Sequence, residues 1–237
     1  MHPFFRVAGL CFALIVAGLS VASCGDNEPA ERKAFMAFLQ TFILDKPGVH
    51  VPKPTDADIK AFGAYGEQYT VITNFTADPE MMAIGQQMQQ AIQAGAPRSL
   101  QEAVTRQQDV QTVRESLGKL RVPLDQKLAA AEAARDALKQ PPDLKTVFGA
   151  AFERDVGDPA RAFRSALPVV DDALDSVLKL AAYINAHRNA VTLSGSNIQA
   201  NDPKVRVELN TLLQGVTTKG QQLQEHQRRL RVMLTGS

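Results

Sequence analysis

The chain has 237 residues, of which 26 are basic and 25 are acidic, and it contains two cysteines. This balance of charge argues against a nucleic-acid-binding protein, because such proteins present a basic face. Alanine, glutamine and leucine dominate the sequence, as they do in proteins built from long helices. We therefore predict an all-α fold.

The first 23 residues have the layout of a secretory signal. A single basic residue, Arg6, precedes an apolar run from Val7 to Ala17, and small residues follow it. Cys24 comes directly after them, as in bacterial lipoproteins, where the cysteine thiol receives a diacylglycerol before the leader is removed. We predict that residues 1–23 are removed and that Cys24 is the lipid attachment residue. An ordinary secretion signal is the alternative, whereas a membrane-spanning helix of about 20 apolar residues would be longer than this run.

Lipid attachment would tether the mature chain, residues 24–237, to a membrane with its body facing the periplasm. Cleavage deletes one basic residue and no acidic one, so the mature net charge would be zero. Cys11 leaves with the leader, which excludes an internal disulfide. Gly25 follows the cysteine in place of the aspartate that typically retains such lipoproteins in the inner membrane. We therefore expect the outer membrane rather than the inner one.

We predict that the whole mature chain, residues 24–237, is a single helical domain. Apolar residues recur at helical spacing through its first half. Pro29 is placed to open a first helix, Thr55 and Asp58 resemble a capping box, and Asp78-Pro79 opens a third helix. The three apolar stripes comprise Phe35, Phe38, Phe42 and Ile43, then Ile59, Phe62, Tyr65, Tyr69 and Ile72, then Met81, Ile84, Met88 and Ile92.

The stretch from Ser99 to Gln140 predicts one long helix. Its apolar residues keep a three-four spacing on both sides of Pro123, although a proline inside a helix removes one hydrogen bond and crowds the preceding turn. We therefore expect one helix kinked at Pro123 rather than two independent helices.

Four further helices and one hairpin are predicted after residue 142. A short helix begins at Asp143, Asp158-Pro159 opens another, Pro168 separates that one from a long helix, and Asp202-Pro203 opens the last. The segment 191–199 is the only plausible strand pair, with its turn at Gly195. Long helices with short connections predict an elongated antiparallel bundle.

Several short segments, spread in order over most of the mature chain, share the pattern of one family. They are Arg32-Lys33-Ala34-Phe35, Phe38-Leu39-Gln40, Ser116-Leu117-Gly118, Ala137-Leu138-Lys139-Gln140, Asp143-Leu144-Lys145, Val147-Phe148, Ala151-Phe152, Tyr183-Ile184 and Asn197-Ile198-Gln199. On these segments the chain resembles the YiaF-like bacterial lipoproteins, whose domain is classed as of unknown function. The resemblance implies a location in the bacterial cell envelope, and it implies no catalytic or binding residue.

Candidate metal-binding residues lack the required spacing. Three histidines remain after cleavage, and none has a histidine or cysteine at ligand spacing, so we predict no metal site and no cofactor. They are His50, His187 and His226. Met81, Met82 and Met88 lack the regular repeat of a copper-binding tract, which favours a role in core packing.

Charged residues offer the remaining candidates. Asp171 and Asp175 lie four residues apart on one helix face, with Asp172 beside them, near the start of a helix where acids favour the dipole. The basic residues near the C-terminus have the matching dipole explanation; they are Arg228, Arg229 and Arg231. Paired carboxylates serve in hydrolytic enzymes, but one of them must lie in an apolar pocket that raises its pKa. We therefore predict no catalytic residue, and an enzyme would require a deep polar cavity that includes Asp171, Asp175 or His187.

Two functional hypotheses follow. The first is a non-enzymatic interaction or structural lipoprotein, whose long helices project from the membrane and dock an envelope protein that the sequence does not identify. The second is a carrier or sensor of a small amphipathic ligand. That ligand would lie in a cleft between the aromatic stripe of Phe35, Phe38 and Phe42 and that of Tyr65 and Tyr69.

Overall fold

A computed structural model describes residues 27–95, 99–194 and 197–237. The predicted leader, Cys24 and the predicted hairpin turn at Gly195 lie outside these residues. The described chain is helical except for one small antiparallel pair of strands, which confirms the predicted all-α fold with a hairpin. None of the described helices combines the length and the apolar composition that crossing a membrane requires.

The described chain forms nine α-helices. Their bounds are α1 Glu28–Leu39, α2 Asp56–Phe62, α3 Thr70–Thr76, α4 Pro79–Gly95, α5 Leu100–Thr105, α6 Gln107–Asp136, α7 Pro142–Phe152, α8 Asp158–Ala186 and α9 Pro203–Thr235. The π-helical turn Gln40–Leu44 extends α1, and a second π-helical turn, Glu153–Gly157, joins α7 to α8. A 3-10 segment, Gly63–Tyr69, joins α2 to α3. The strands are β1 Val191–Ser194 and β2 Asn197–Ala200.

The largest core lies where α1 packs beside α7. The two helices run parallel, because Arg32 lies 3.4 Å from Asp143 near their starts and the Leu44 carbonyl accepts a hydrogen bond from Arg154 beyond their ends. We call the rings packed between α1, α7 and the α2–α3 segment the aromatic core. Its members are Phe35, Phe38, Phe62, Tyr65, Tyr69, Phe148 and Phe152. This end of the molecule, where Glu28 begins α1, is the α1 end.

Helices α6 and α8 form the long antiparallel pair of the molecule. Ion pairs join them at successive levels: Glu132 to Arg161 at 3.5 Å, Asp125 to Arg164 at 3.1 Å, and Arg114 to Asp171 at 2.6 Å. From one pair to the next, the residue number decreases on α6 as it increases on α8, which is the pattern of antiparallel neighbours. Helix α4 packs against the same side of α6, with Ile84 and Met88 in a core shared by α6 and α8.

Helical structure continues through both internal prolines. Helix α6 runs unbroken past Pro123, as predicted. The prediction that Pro168 separates two helices is wrong, because α8 continues from Asp158 to Ala186 across it. The buried side chains of Leu167 and Val170 flank this proline. Their packing offsets the roughly 3 kcal/mol that an interior proline costs a helix.

The predicted helix from Ser99 to Gln140 is wrong at both ends. Arg106, with φ −102° and ψ 23°, leaves the helical region and separates α5 from α6, which ends at Asp136. The guanidinium of Arg106 contacts Glu102 at 2.7 Å and Asp109 at 3.1 Å, so one side chain bridges the two helices across the break.

Helix α9 and the hairpin close the opposite end of the molecule, which we call the hairpin end. The strands pair in antiparallel register, with Val191 opposite Ala200. Both residues pack with Leu209 of α9 and Leu180 of α8. Helix α9 then returns along α8 until its last turn reaches the loop after α1, where the Val49 N–H donates to the Leu234 carbonyl at 3.0 Å.

Candidate functional site

The acidic triplet of α8 lies in a charged cluster that joins three helices, which we call the charged junction. The guanidinium of Arg114, on α6, binds both oxygens of Asp171 at 2.6 and 3.0 Å and one oxygen of Asp175 at 2.7 Å. Lys179 contacts the other oxygen of Asp175 at 2.7 Å. The junction comprises Arg114, Asp171, Asp172, Asp175, Lys179 and Lys219.

Helix α9 joins the junction through one further pair. The ammonium group of Lys219 lies 2.7 Å from Asp172. Asp171 and Asp175 therefore face α6, whereas Asp172 faces α9. The junction therefore joins α8 to α9 and to α6 through residue pairs that are 47 and 57 positions apart in sequence.

The electrostatics of the junction favour the charged form of Asp175. Hydrogen bonding from Lys179, together with the nearby Arg114, holds the pKa of Asp175 below its usual range. Its hydrogen bond to Asp171 raises the pKa of Arg114. A carboxylic acid that donates a proton during catalysis needs the opposite environment, one that raises its pKa. The geometry therefore suits a structural ion-pair network.

Two open grooves flank the junction. One, of about 590 Å³, lies between α5, α6 and α8, and the other, of about 340 Å³, lies between α8 and α9. His187 lines neither of them. It caps the C-terminal end of α8, where its Nδ1 lies 2.9 Å from the Tyr183 carbonyl and its ring packs on the Tyr183 ring at 4.1 Å. The structure therefore does not bring His187 together with the acidic triplet.

The other two histidines lie on different elements of the fold. His50 is in the loop after α1, and His226 lies half-buried on α9. Among residues 27–95, 99–194 and 197–237, no group of three histidine, cysteine, aspartate or glutamate side chains has the arrangement of a metal site.

The methionines and the C-terminal arginines have ordinary surroundings. Met88 is buried in the core shared by α4, α6 and α8, Met81 packs against that core, and Met82 is exposed. Arg228 and Arg229 both pair with Glu225, and the hydrogen bond from Arg228 lowers the pKa of Glu225 to about 2.

The predicted ligand cleft between the two aromatic stripes is wrong. Phe35 packs directly on Tyr65 and Tyr69, with ring centroids 6.4 and 6.5 Å apart, and Phe38 contacts Tyr69 at 5.5 Å. All four rings are buried, whereas Phe42 is 43% exposed. The rings fill the space between the helices because offset and edge-to-face contacts between aromatics are favourable in themselves.

A buried carboxylate that the sequence pattern did not reveal lies in the π-helical turn between α7 and α8. Asp155 is 2% exposed, and one of its oxygens accepts a hydrogen bond from the His50 N–H at 3.1 Å. Its other oxygen has no hydrogen-bond partner among the described residues. Burial raises the pKa of Asp155 to about 6. The neighbouring Arg154 donates to the carbonyls of Leu44, Lys46 and Gly48, so the π-helical turn holds the whole loop after α1.

Comparisons with known proteins give one consistent result. A family model described as a protein of unknown function, DUF3053, matches residues 11–231. The uncharacterized protein YiaF of Escherichia coli strain K12 is 29% identical over 210 residues, and the YiaF protein of Shigella flexneri is identical to the same extent. The alignment covers 85% of this chain and 85% of each relative. No solved structure matches the chain.

Proposed function

The chain belongs to the DUF3053 family, and from this premise we propose that it is a lipid-anchored, non-enzymatic interaction protein of the bacterial envelope. Cys24 carries the acyl chains, the helical body faces the periplasm, and Gly25 after the cysteine favours the outer membrane. The role of the body is to dock another envelope protein at a distance from the membrane.

The observation that carries this proposal is the position of the first helix. Helix α1 begins at Glu28, four residues after Cys24, and four extended residues reach only about 14 Å. Glu28 lies beside the start of α7, since the Tyr65 hydroxyl donates to Glu28 and Arg32, one turn further along α1, contacts Asp143. An acylated Cys24 would therefore hold the α1 end beside the lipid headgroups.

The length of the body supports a role away from the membrane. From Pro142 at the α1 end, helical structure continues through the π-helical turn to Ala186 at the hairpin end. At about 1.5 Å per residue, this path covers roughly 65 Å if it is straight. An upright body would present the hairpin end well outside the headgroup region.

The charges at the α1 end support attachment through acyl chains. In the first turns of α1, the two acidic residues Glu28 and Glu31 balance the two basic residues Arg32 and Lys33, so these turns have no excess of positive charge. A protein held by anionic lipids would need a cluster of several basic residues. Two or more acyl chains, in contrast, give stable attachment without any basic surface.

The charged junction supports a role without catalysis. Its carboxylates lie within 3 Å of cations, and these cations hold the pKa of Asp175 low. The observed contacts therefore assign the acidic triplet to joining helices.

The anchor is tested by comparing the wild type with Cys24→Ala. We expect radiolabelled palmitate to mark the wild type and membrane fractionation to recover it with the outer membrane. Cys24→Ala should lose the label and leave the membrane fraction. Cys11→Ala is the matched control, since this cysteine lies within the leader and its replacement should preserve the label. An unlabelled wild type would refute the anchor.

The docking role is tested by site-specific photo-crosslinking in intact cells. Thr192 and Gln199 face each other across the hairpin and are exposed, so a photoreactive residue at either position should capture the same envelope protein. Lys145, exposed near the α1 end, is the control position and should not capture it. Different products at the two hairpin positions, or no product at either, would refute docking at the hairpin end.

A further inference from the structure

A groove of about 360 Å³ between α6 and α8 is lined by three arginines and no acidic residue. Its lining residues are Arg121, Arg161, Arg164, Ser165 and Pro168. The groove lies on the α6–α8 pair, apart from the residues of the charged junction. Guanidinium groups present planar, paired N–H donors that match the oxygens of a phosphate group. The lining therefore has the chemistry of an anion site.

Two of the three guanidiniums keep unused donors in the described part of the molecule. Arg121 is mostly exposed, and its contact is with Asp125, at 3.9 Å, beyond hydrogen-bond distance. The Nε of Arg164 lies 3.1 Å from the other oxygen of Asp125, an ion pair without hydrogen-bond geometry, and the two terminal amino groups of Arg164 make no hydrogen bond among the described residues. One carboxylate thus faces two guanidiniums, and the pair keeps a local excess of positive charge.

Arg161 differs from its neighbours because its terminal nitrogens contact three carboxylates. They are Glu132, Glu153 and Asp158. Ser165 is also engaged, since its hydroxyl donates to the Ala162 carbonyl at 2.8 Å. These contacts fix the wall of the groove and leave Arg121 and Arg164 as the groups that can bind a ligand.

We propose that Arg121 and Arg164 bind a phosphate-bearing anion in this groove. A phosphate group presents several oxygens to both guanidiniums and forms short, charge-assisted hydrogen bonds with them. Asp125 competes with the anion for the same donors, so it weakens binding and disfavours ligands of low charge. The site goes beyond the proposed docking function and does not depend on the anchor.

The position of the groove separates two sources of the phosphate. Arg161 and Pro168 lie 18 and 25 residues beyond Asp143, which at about 1.5 Å per residue is roughly 30 Å from the α1 end if the path from α7 to α8 is straight. An upright body would hold the groove above its own membrane and bind a phosphate from the aqueous phase. A body that lies on the membrane would bind the phosphate of a lipid headgroup.

Arginine footprinting tests the site on the full-length protein. Phenylglyoxal modifies accessible guanidiniums, and mass spectrometry of peptides reports each position separately. The protein, in nanodiscs of phosphatidylcholine, is treated with and without inorganic pyrophosphate. A second arm replaces part of the phosphatidylcholine with phosphatidylglycerol and adds no pyrophosphate. Arg228 and Arg229 are the internal control, because both are exposed and pair with a single carboxylate, Glu225.

Each outcome supports or overturns the proposed anion site, and the supporting outcomes also identify the source of the phosphate group. Protection of Arg121 and Arg164 by pyrophosphate alone supports a phosphate from the aqueous phase. Protection by phosphatidylglycerol alone supports a lipid headgroup, and protection in both arms supports the shared chemistry. Unchanged modification in both arms, or equal protection of Arg228 and Arg229, would overturn the site.

Variants make the same test quantitative. Calorimetric titration with pyrophosphate should show at least about tenfold weaker binding by Arg121→Gln/Arg164→Gln than by the wild type. The matched control, Arg228→Gln/Arg229→Gln, removes the same charge elsewhere and should bind as the wild type does. Asp125→Asn removes the competing carboxylate and should bind more tightly. Circular dichroism verifies that each variant is folded, and weaker or unchanged binding by a folded Asp125→Asn would overturn the proposal.

Discussion

The aromatic core and α9 are held in place by different kinds of contact. In the aromatic core, Phe35, Phe148 and Phe152 are completely buried and touch residues from several elements. Helix α9 has 33 residues, but Leu209 is its single buried residue in the described chain. The longest described helix is therefore among the least buried, whereas short helices around α1 build the densest core.

In this protein, the length of a helix does not indicate how firmly the helix is held. Beyond Leu209, helix α9 rests on half-buried side chains, on the Lys219–Asp172 pair, and on the contact of its last turn with Gly48 and Val49. Segments with few buried apolar contacts open at lower free energy than the global unfolding of the protein. We therefore expect α9 to open first and the aromatic core to open last.

The largest expected effect is loss of an aromatic ring. Phe148→Ala deletes a ring that is completely buried, so the free energy of unfolding should fall by about 3 to 5 kcal/mol. Val207→Ala, at a position 67% exposed on α9, should change it by less than about 0.5 kcal/mol. Urea unfolding of both variants measures the two changes in free energy. Comparable losses would contradict the conclusion that the aromatic core is held more strongly than α9.

The next effect concerns the clasp at the end of α9. Gly48 has φ +73°, and a Cβ atom there would lie 2.6 Å from the Leu234 carbonyl oxygen. Gly48→Ala should therefore cost about 2 kcal/mol and detach the last turns of α9, which amide hydrogen exchange would report as faster exchange near Leu234.

Gly220 supplies the control for this clasp. It lies inside α9, where an added Cβ would meet no atom within 4 Å among the described residues, apart from its chain neighbours and the backbone of its own helix. Gly220→Ala should stabilise the helix by up to about 1 kcal/mol, since alanine is the better helix former. Slower exchange near Leu234 in Gly48→Ala would show that the clasp does not hold the helix end.

A smaller effect comes from the buried carboxylate of Asp155. Its pKa is raised from 3.8 to about 6 in the folded protein, so the fold binds this proton more tightly than the unfolded chain does. Stability should therefore increase as the pH falls from 7.5 to 5, by roughly 1 to 2 kcal/mol from this group. The side chain in Asp155→Asn cannot titrate, so this variant should lack that gain in the free energy of unfolding. Urea unfolding of the wild type and the variant at pH 7.5 and pH 5 measures the difference.

The choice of pH 5 keeps other carboxylates out of this measurement. Asp58, Asp78, Asp175 and Glu225 have lowered pKa values, so their stabilising contacts are lost only as the pH falls further. An equal pH dependence in the wild type and in Asp155→Asn would assign the increment to another group.

The smallest expected effect is that of the Lys219–Asp172 pair. Both side chains are more than one third exposed, so their coupling should be below about 1 kcal/mol and should diminish with added salt. A double-mutant cycle with Lys219→Ala and Asp172→Ala measures it. A larger coupling that survives high salt would mean that electrostatics, rather than the half-buried apolar contacts, holds α9 on α8.

Local signals in the sequence were sufficient where a helix start depends on neighbouring residues. The predicted capping box is present, because Thr55 and Asp58 exchange both of its hydrogen bonds. Asp202 caps α9 by accepting from the N–H groups of Lys204 and Val205. The pairing of Thr192 with Gln199 also lies within the predicted hairpin, and β2 extends one residue beyond it to Ala200. These features join residues that are close in the chain.

Long-range contacts were beyond the reach of such signals. The pattern placed Asp171 and Asp175 on one helix face, but their partner Arg114 is 57 and 61 residues away. Asp155 follows Glu153 and Arg154 in a polar run that resembles an exposed turn. Its burial results from the π-helical turn and from the loop around His50, neither of which the pattern reveals.

The helical class, most helix starts and the strand pair thus followed from the sequence alone, whereas lipid attachment at Cys24 stays a prediction. These depend on periodicity and on residues a few positions apart. Tertiary structure decided the continuity of α8 through Pro168, the break at Arg106, the filled aromatic core and the clustering of Arg121 with Arg164. The physical reason is that burial and ion pairing join distant segments, and their combined free energy exceeds the local preference of any single residue.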